Sequence, residues 1–144
     1  MNNNYTISEY FNLPSEGKIY DTEVNPKIQL RSMTTKEEMQ RLSHSDKAYK
    51  PLCDIIDACM IDSCGISSYD MALGDYQYLL FMLRVVTYGS DYKGSATCPY
   101  CGTVNNSSFN IDDLMVKRYN EEIENYREFT LPQTKPVIRL RPTT

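Results

Sequence analysis

The sequence lacks tryptophan, contains a single histidine, and has no long apolar run. A membrane-spanning helix needs about 18 or more consecutive apolar residues, so no such span is predicted. The first residues, MNNNYTISEYF, have neither the basic nor the apolar region of a signal peptide. The expected compartment is therefore the cytoplasm.

The residue patterns of common active sites are also missing. The sequence has no glycine-rich phosphate loop, no HExxH or HxE motif, and no Ser/His/Asp or Cys/His set. Its formal net charge of −4 argues against a protein that mainly binds nucleic-acid phosphates. Only a small basic group stands near the end, at Lys135, Arg139 and Arg141. These absences predict that the protein is not an enzyme.

Five cysteines are present, an odd number in a chain without an export signal. A disulfide framework is typical of oxidising compartments and of an even number of cysteines. The composition therefore favours reduced thiols, a metal site, or both.

Apolar spacing and capping residues predict three helices. A capping box at Thr34/Glu37 or Thr35/Glu38 begins the first, which runs to about Leu42. The second begins near Pro51, and one apolar stripe lies along it: Leu52, Ile55, Ile56, Cys59 and Met60.

The third helix is the most apolar and is predicted to be central in the fold. Asp75 is its expected N-cap, and Gly89 is its expected stop. Its apolar positions repeat the same spacing: Tyr76, Leu79, Leu80, Leu83 and Val86. Before the helices, alternation in residues 24–31 predicts a half-buried strand.

The overall prediction is an α+β fold with a small helical core, a cysteine-bearing β-hairpin and short flanking strands. Residues 1–12 are expected to form a flexible N-terminal arm, and residues 13–117 the helical core with a zinc-knuckle-like hairpin at about 90–111. Residues 118–144 are expected to form a linker and a terminal strand.

The strongest chemical signal is CPYCG, at the tip of the predicted hairpin. Cys98 and Cys101 have the spacing at which two thiolates bind one ion, and Gly102 allows the positive φ of the turn. A redox CxxC usually opens a helix, whereas this one closes a hairpin. We therefore expect a structural zinc ion bound by Cys98 and Cys101.

A structural zinc site has four ligands, so two more are needed. Cys64, in a loop, is the best third ligand, and Cys59, His44 or residues of another chain are the alternatives. Each has a simpler explanation, because Cys59 lies on an apolar stripe and His44 in a polar loop. The competing interpretation is a tight turn that binds no metal.

A short pattern occurs twice, as LP, then I-x-L-R, then TT. It begins at Leu13 and again at Leu131. If it is a repeat, the sequence ends where the first helix of a second unit would begin, so that the chain belongs to a longer protein. Alternatively, the terminal segment pairs with the first strand.

The order of these motifs resembles the baseplate hub and hub-assembly proteins of T-even-type contractile-tailed phages. The resemblance covers about residues 13–114 and is most specific in DYQYLL, in Leu83-Arg84 and in Tyr88-Gly89. It implies a non-enzymatic component of the virion tail baseplate, assembled in the host cytoplasm through contacts with hub or tape-measure proteins.

Three alternatives to a component of the finished baseplate remain open. One is an assembly chaperone that is absent from the mature virion. Another is a zinc-ribbon module that binds nucleic acid, which the acidic net charge argues against. The last is a thiol enzyme that uses Cys98 and Cys101.

Overall fold

The computed structural model describes residues 7–43, 46–47 and 49–143. Over these residues the chain is an α+β fold with three α-helices and three two-stranded antiparallel sheets. The helices are α1 (Thr35–Leu42), α2 (Lys50–Cys59) and α3 (Leu73–Tyr88). The strands are β1 (Ser8–Asn12), β2 (Lys27–Arg31), β3 (Asp91–Thr97), β4 (Val104–Asn110), β5 (Glu128–Thr130) and β6 (Val137–Arg139).

The first sheet pairs β1 with β2, so the expectation of a flexible arm over residues 1–12 is wrong for residues 8–12. β2 alternates as predicted, with Ile28 and Leu30 fully buried. β1 is mostly exposed, and only Phe11 packs against the core, so the strand lacks the alternating apolar pattern by which a sequence indicates a half-buried strand. Backbone pairing to β2 holds it in place, with Phe11 opposite Ile28.

The capping signals of α1 and α2 are confirmed. Thr34 is the N-cap of α1, and its backbone N–H donates to Glu37 Oε2 at 2.8 Å. Pro51 lies in the first turn of α2. A backbone N–H at that position would have no hydrogen-bond acceptor within the helix, so proline is tolerated there. The buried face of α2 carries Ile55, Ile56 and Cys59 as predicted.

The core lies where β2, α2 and α3 meet. Leu79 and Leu83 of α3 pack there with Ile28 and Leu30 of β2, and all four are essentially inaccessible to water. An isolated bridge from Leu30 to Met60 joins β2 to the end of α2. This core holds α3 in the central position that its sequence predicted.

The start of α3 differs from the prediction. The helix begins at Leu73 after Ala72 as N-cap, so Asp75 lies inside the first turn and is buried. Its carboxylate binds groups from another part of the chain rather than its own helix end. The end is as predicted, because Gly89 has a φ of 87° and its N–H donates to Val85 O at 2.8 Å.

β3 and β4 form the predicted hairpin, and the CPYCG motif lies in its turn. Nearly every residue of both strands is exposed. Near the base, the rings of Tyr92 and Phe109 stack at 5.0 Å, and the Arg84 guanidinium lies 4.7 Å from the Tyr92 ring. The hairpin is therefore held at its base and projects from the core.

The LP/I-x-L-R echo has a structural counterpart. In the first sheet, Phe11 pairs with Ile28, and Leu13 N–H donates to Pro26 O at 2.8 Å. In the last sheet, Phe129 pairs with Ile138, and Leu131 N–H donates to Pro136 O at 3.0 Å. The predicted terminal strand exists, but it pairs with β5 and not with the first strand.

Short 3₁₀ turns connect the hairpin to the last sheet. They cover Ile111–Asp113 and Glu121–Tyr126, in segments whose sequence predicted a helical turn and an ambiguous linker. Within the described part of the chain, no helix combines the length and apolarity needed to cross a membrane.

Candidate functional site

The turn that carries Cys98 and Cys101 is closed by two backbone hydrogen bonds. Cys98 N–H donates to Thr103 O at 2.9 Å, and Gly102 N–H donates to Cys98 O at 3.0 Å. Gly102 has a φ of 71°, in the left-handed region that glycine adopts without strain. The turn and the positive φ that the sequence predicted at Gly102 are therefore present.

The two thiols of this turn are the accessible ones. Cys101 is exposed and Cys98 is half-buried. The Cys101 thiol donates to Thr103 Oγ1 at 3.3 Å. Hydrogen bonds that the thiolate form accepts, first from the Thr103 hydroxyl, then from the Thr103 backbone and from Cys98, lower the pKa of Cys101 below its ordinary value. A lowered pKa favours thiolate, the form that binds metals.

Cys64 is not near this turn. It is buried in the hydrophobic core, and its thiol donates to Ile66 O at 3.1 Å. Across residues 7–43, 46–47 and 49–143, no three His, Cys, Asp or Glu side chains come together in a way that would hold a metal. His44, the other candidate, lies outside the described residues. Cys98 and Cys101 thus form a two-ligand set.

The remaining cysteines are core residues. Cys53 and Cys59 are buried on α2, and the position of Cys59 on the apolar stripe predicted its burial. Burial raises the pKa of the Cys59 thiol to about 11 and also raises that of Cys53. These two thiols are therefore protonated near neutral pH and lie within the core.

Asp75 is a structural centre that sequence reasoning missed. Its carboxylate accepts hydrogen bonds from Ser15 N–H at 3.1 Å, from the Ser15 hydroxyl, and from the Tyr20 hydroxyl at 2.6 Å. Burial, followed by the hydrogen bond to Asp75, raises the pKa of Tyr20. A signal was available, because Asp75 lies four residues before Leu79 on the buried stripe of α3.

The arrangement around Asp75 fixes one part of the chain to another. Three donors satisfy its carboxylate, and they join the loop before β2 to the first turn of α3. A neighbouring cavity of 530 Å³ lies between this turn and the C-terminal segment, whose Thr143 O accepts from Leu73 N–H at 2.8 Å. Asp75 therefore positions the wall of a cavity.

A larger groove lies along the second half of α3, from Leu80 to Tyr88. Its volume is 770 Å³, and α2 and α3 contribute most of its apolar wall. Phe81 is partly exposed there, so the second apolar face of α3 forms a wall of this groove. Arg41 and Arg84 also line the groove. Its main apolar residues are Met33, Leu52, Ile55, Leu80, Phe81 and Tyr88.

Comparison with known proteins gives one family match. A family model described as "T4 bacteriophage base plate protein" matches residues 5–144. Searches of curated proteins and of solved structures return no match to the chain.

Proposed function

Since the family model matches nearly the whole chain, the chain belongs to the T4 bacteriophage base plate protein family, and we propose that it acts in the hub region of the baseplate. Membership makes it a structural component of a phage tail baseplate, and therefore part of a multi-subunit virion assembly. In this proposal it binds hub or tape-measure proteins in the host cytoplasm and stays in the finished tail.

The groove beside α3 is the observation that supports binding by protein contact. Its lining follows α3 from Leu80 to Tyr88, about two helical turns, and its apolar wall includes the exposed Phe81 and Tyr88. Grooves of this kind bind the apolar face of an amphipathic helix. Isolated exposed apolar residues are common, but a contiguous apolar groove is typical of an interaction site.

The charges beside the groove indicate what kind of helix fits. Arg41 and Arg84 line it, although the chain as a whole carries a net charge of −4. Complementary charges at an interface select a partner and orient it. We therefore infer a helix from a hub or tape-measure protein, with an apolar face and carboxylates along its flank.

Co-expression with the hub and tape-measure proteins of the same phage tests this function. We expect a complex with one of them, and we expect Phe81→Glu to weaken it by roughly 30-fold, corresponding to a hot-spot loss of about 2 kcal/mol. Met115→Glu is the matched control, because Met115 is 91% exposed and does not line the groove. Binding to neither protein, or absence of the chain from purified virions, would contradict the proposal.

A further inference from the structure

We propose that Cys98 and Cys101 are half of a tetrahedral zinc site, which the same two thiolates of a second copy of this chain complete. The ion would join two hairpin tips. This inference does not rest on the groove beside α3, because the hairpin turn does not line that groove.

The turn supplies two ligands with the right spacing and backbone. Two residues separate Cys98 from Cys101, and the turn is closed by the Cys98–Thr103 and Gly102–Cys98 hydrogen bonds at 2.9 and 3.0 Å. Structural zinc sites use cysteine pairs of this spacing, with a total of four ligands. The turn accordingly presents two of four thiolates in a fixed arrangement.

The missing pair must come from outside the described part of this chain. Cys53, Cys59 and Cys64 are buried in the core, and no third donor of a metal cluster lies near the turn among the described residues. Tyr100, between the two ligands, is 96% exposed, so the tip is open to another molecule. An open tip with two thiolates is a half-site.

A second copy provides the missing pair with the same geometry. Two identical tips related by a two-fold axis through the ion give four thiolates, and a two-fold interface needs only one self-complementary surface. The four thiolates and Zn²⁺ carry a net charge of −2, so carboxylates near the site would destabilise it by repulsion. Residues 93–109 include Lys93 and contain no aspartate or glutamate.

The hairpin also gains from a metal at its tip. Away from the Tyr92–Phe109 stack at its base, its cross-strand pairs are small or polar, such as Gly94 with Ser107 and Ala96 with Asn105. Isolated two-stranded hairpins are marginally stable in water. Metal binding contributes directly to the stability of such segments.

Metal analysis and light scattering on the full chain, expressed with zinc and kept reduced by a phosphine, test the proposal. We expect one zinc per two chains and a mass twice that of the 16.7 kDa chain. EDTA should convert the dimer to a monomer, and added zinc should restore it. The phosphine prevents disulfide formation, so a dimer that resists EDTA would contradict a zinc bridge.

Two variants complete the experiment. Cys98→Ser with Cys101→Ser should abolish zinc binding and dimerisation while the helical circular-dichroism signal remains. Cys64→Ala should retain both, and loss of zinc in this variant would assign the third ligand to Cys64 and overturn the shared site. A monomer with one zinc, or a protein without zinc, would also overturn it. The double variant should still bind a hub or tape-measure protein, because the groove beside α3 does not include the hairpin turn. Loss of zinc with this binding retained would show that the zinc site and the groove act independently.

Discussion

The Tyr20 hydroxyl donates a hydrogen bond to Asp75 Oδ2 at 2.6 Å and accepts one from Ala72 N–H at 3.1 Å. Tyr20 thereby joins the buried carboxylate to the backbone that begins α3, across 55 positions of sequence. With Ser15, it fixes the loop before β2 onto the helix that forms the core and the groove.

Removing this hydroxyl should destabilise the fold. Tyr20→Phe leaves the Asp75 carboxylate and Ala72 N–H each without one partner, and we expect a loss of about 2 kcal/mol in the free energy of unfolding. Urea denaturation measures it. The control is Asp70→Asn, an exposed residue beside the same helix start, which should change stability by less than about 0.5 kcal/mol. Equal stability of Tyr20→Phe and the wild type would contradict this account of Asp75.

The ion pair of Arg31 with Glu37 should make stability depend on pH in the acid range. Arg31 donates to Glu37 at 2.8 Å, and this hydrogen bond is the main cause that lowers the pKa of Glu37 from 4.5 to about 2. Because the folded-state pKa is the lower one, the contribution is fully present above pH 4.5 and is lost as pH falls towards 2.

Glu37→Gln should remove that acid dependence and lower stability at neutral pH by about 2 kcal/mol, because Arg31 loses a charged partner. Glu23→Gln is the control, since Glu23 is exposed. Unfolding free energies measured between pH 2 and 7 distinguish Glu37→Gln from the Glu23→Gln control, which should keep the acid dependence of the wild type. The same acid slope in Glu37→Gln as in the wild type would refute the assignment.

Thiol reactivity should divide the cysteines into two groups. In native protein treated with EDTA, a disulfide reagent should label Cys98 and Cys101 quickly, because Cys101 is exposed and the pKa of its thiol is lowered. Cys59, whose pKa burial raises to about 11, should react only after unfolding, as should Cys53 and Cys64. Rapid labelling of all five cysteines in the native protein would contradict the core described above.

Two glycines should respond to alanine in opposite directions. Gly17 has a φ of 72°, and a Cβ there would lie 2.5 Å from Val24 O. Gly17→Ala should therefore cost more than about 2 kcal/mol. Gly74, in the first turn of α3, has nothing within 4 Å of such a Cβ, so Gly74→Ala should stabilise by up to about 1 kcal/mol. Thermal unfolding of both variants measures the difference, and equal melting temperatures would be inconsistent with it.

Local signals in the sequence predicted most of the architecture. The Thr34/Glu37 capping box, Pro51 and Gly89 mark helix ends by interactions within a few residues, and each is confirmed. Apolar spacing identified the buried faces of α2 and α3 for the same reason. The hairpin was predicted because its turn residues encode it locally.

The errors concern residues whose state depends on distant partners. Aspartate is a residue type favoured at helix N-caps. Asp75 instead accepts hydrogen bonds from Ser15 and Tyr20, which lie 60 and 55 positions away in the sequence. β1 is a strand because β2 pairs with it, and its own residues are nearly all exposed. Neither partner can be identified from the local pattern.

The central claim, that the groove beside α3 binds a hub or tape-measure protein in the baseplate, is tested most directly by site-specific crosslinking. A photo-crosslinking phenylalanine derivative would replace Phe81 in the groove or, as control, the exposed Met115. After irradiation of purified tails, we expect a covalent adduct with a hub or tape-measure protein from position 81 and none from position 115. No adduct from position 81, or one that joins only two copies of this chain, would contradict the claim.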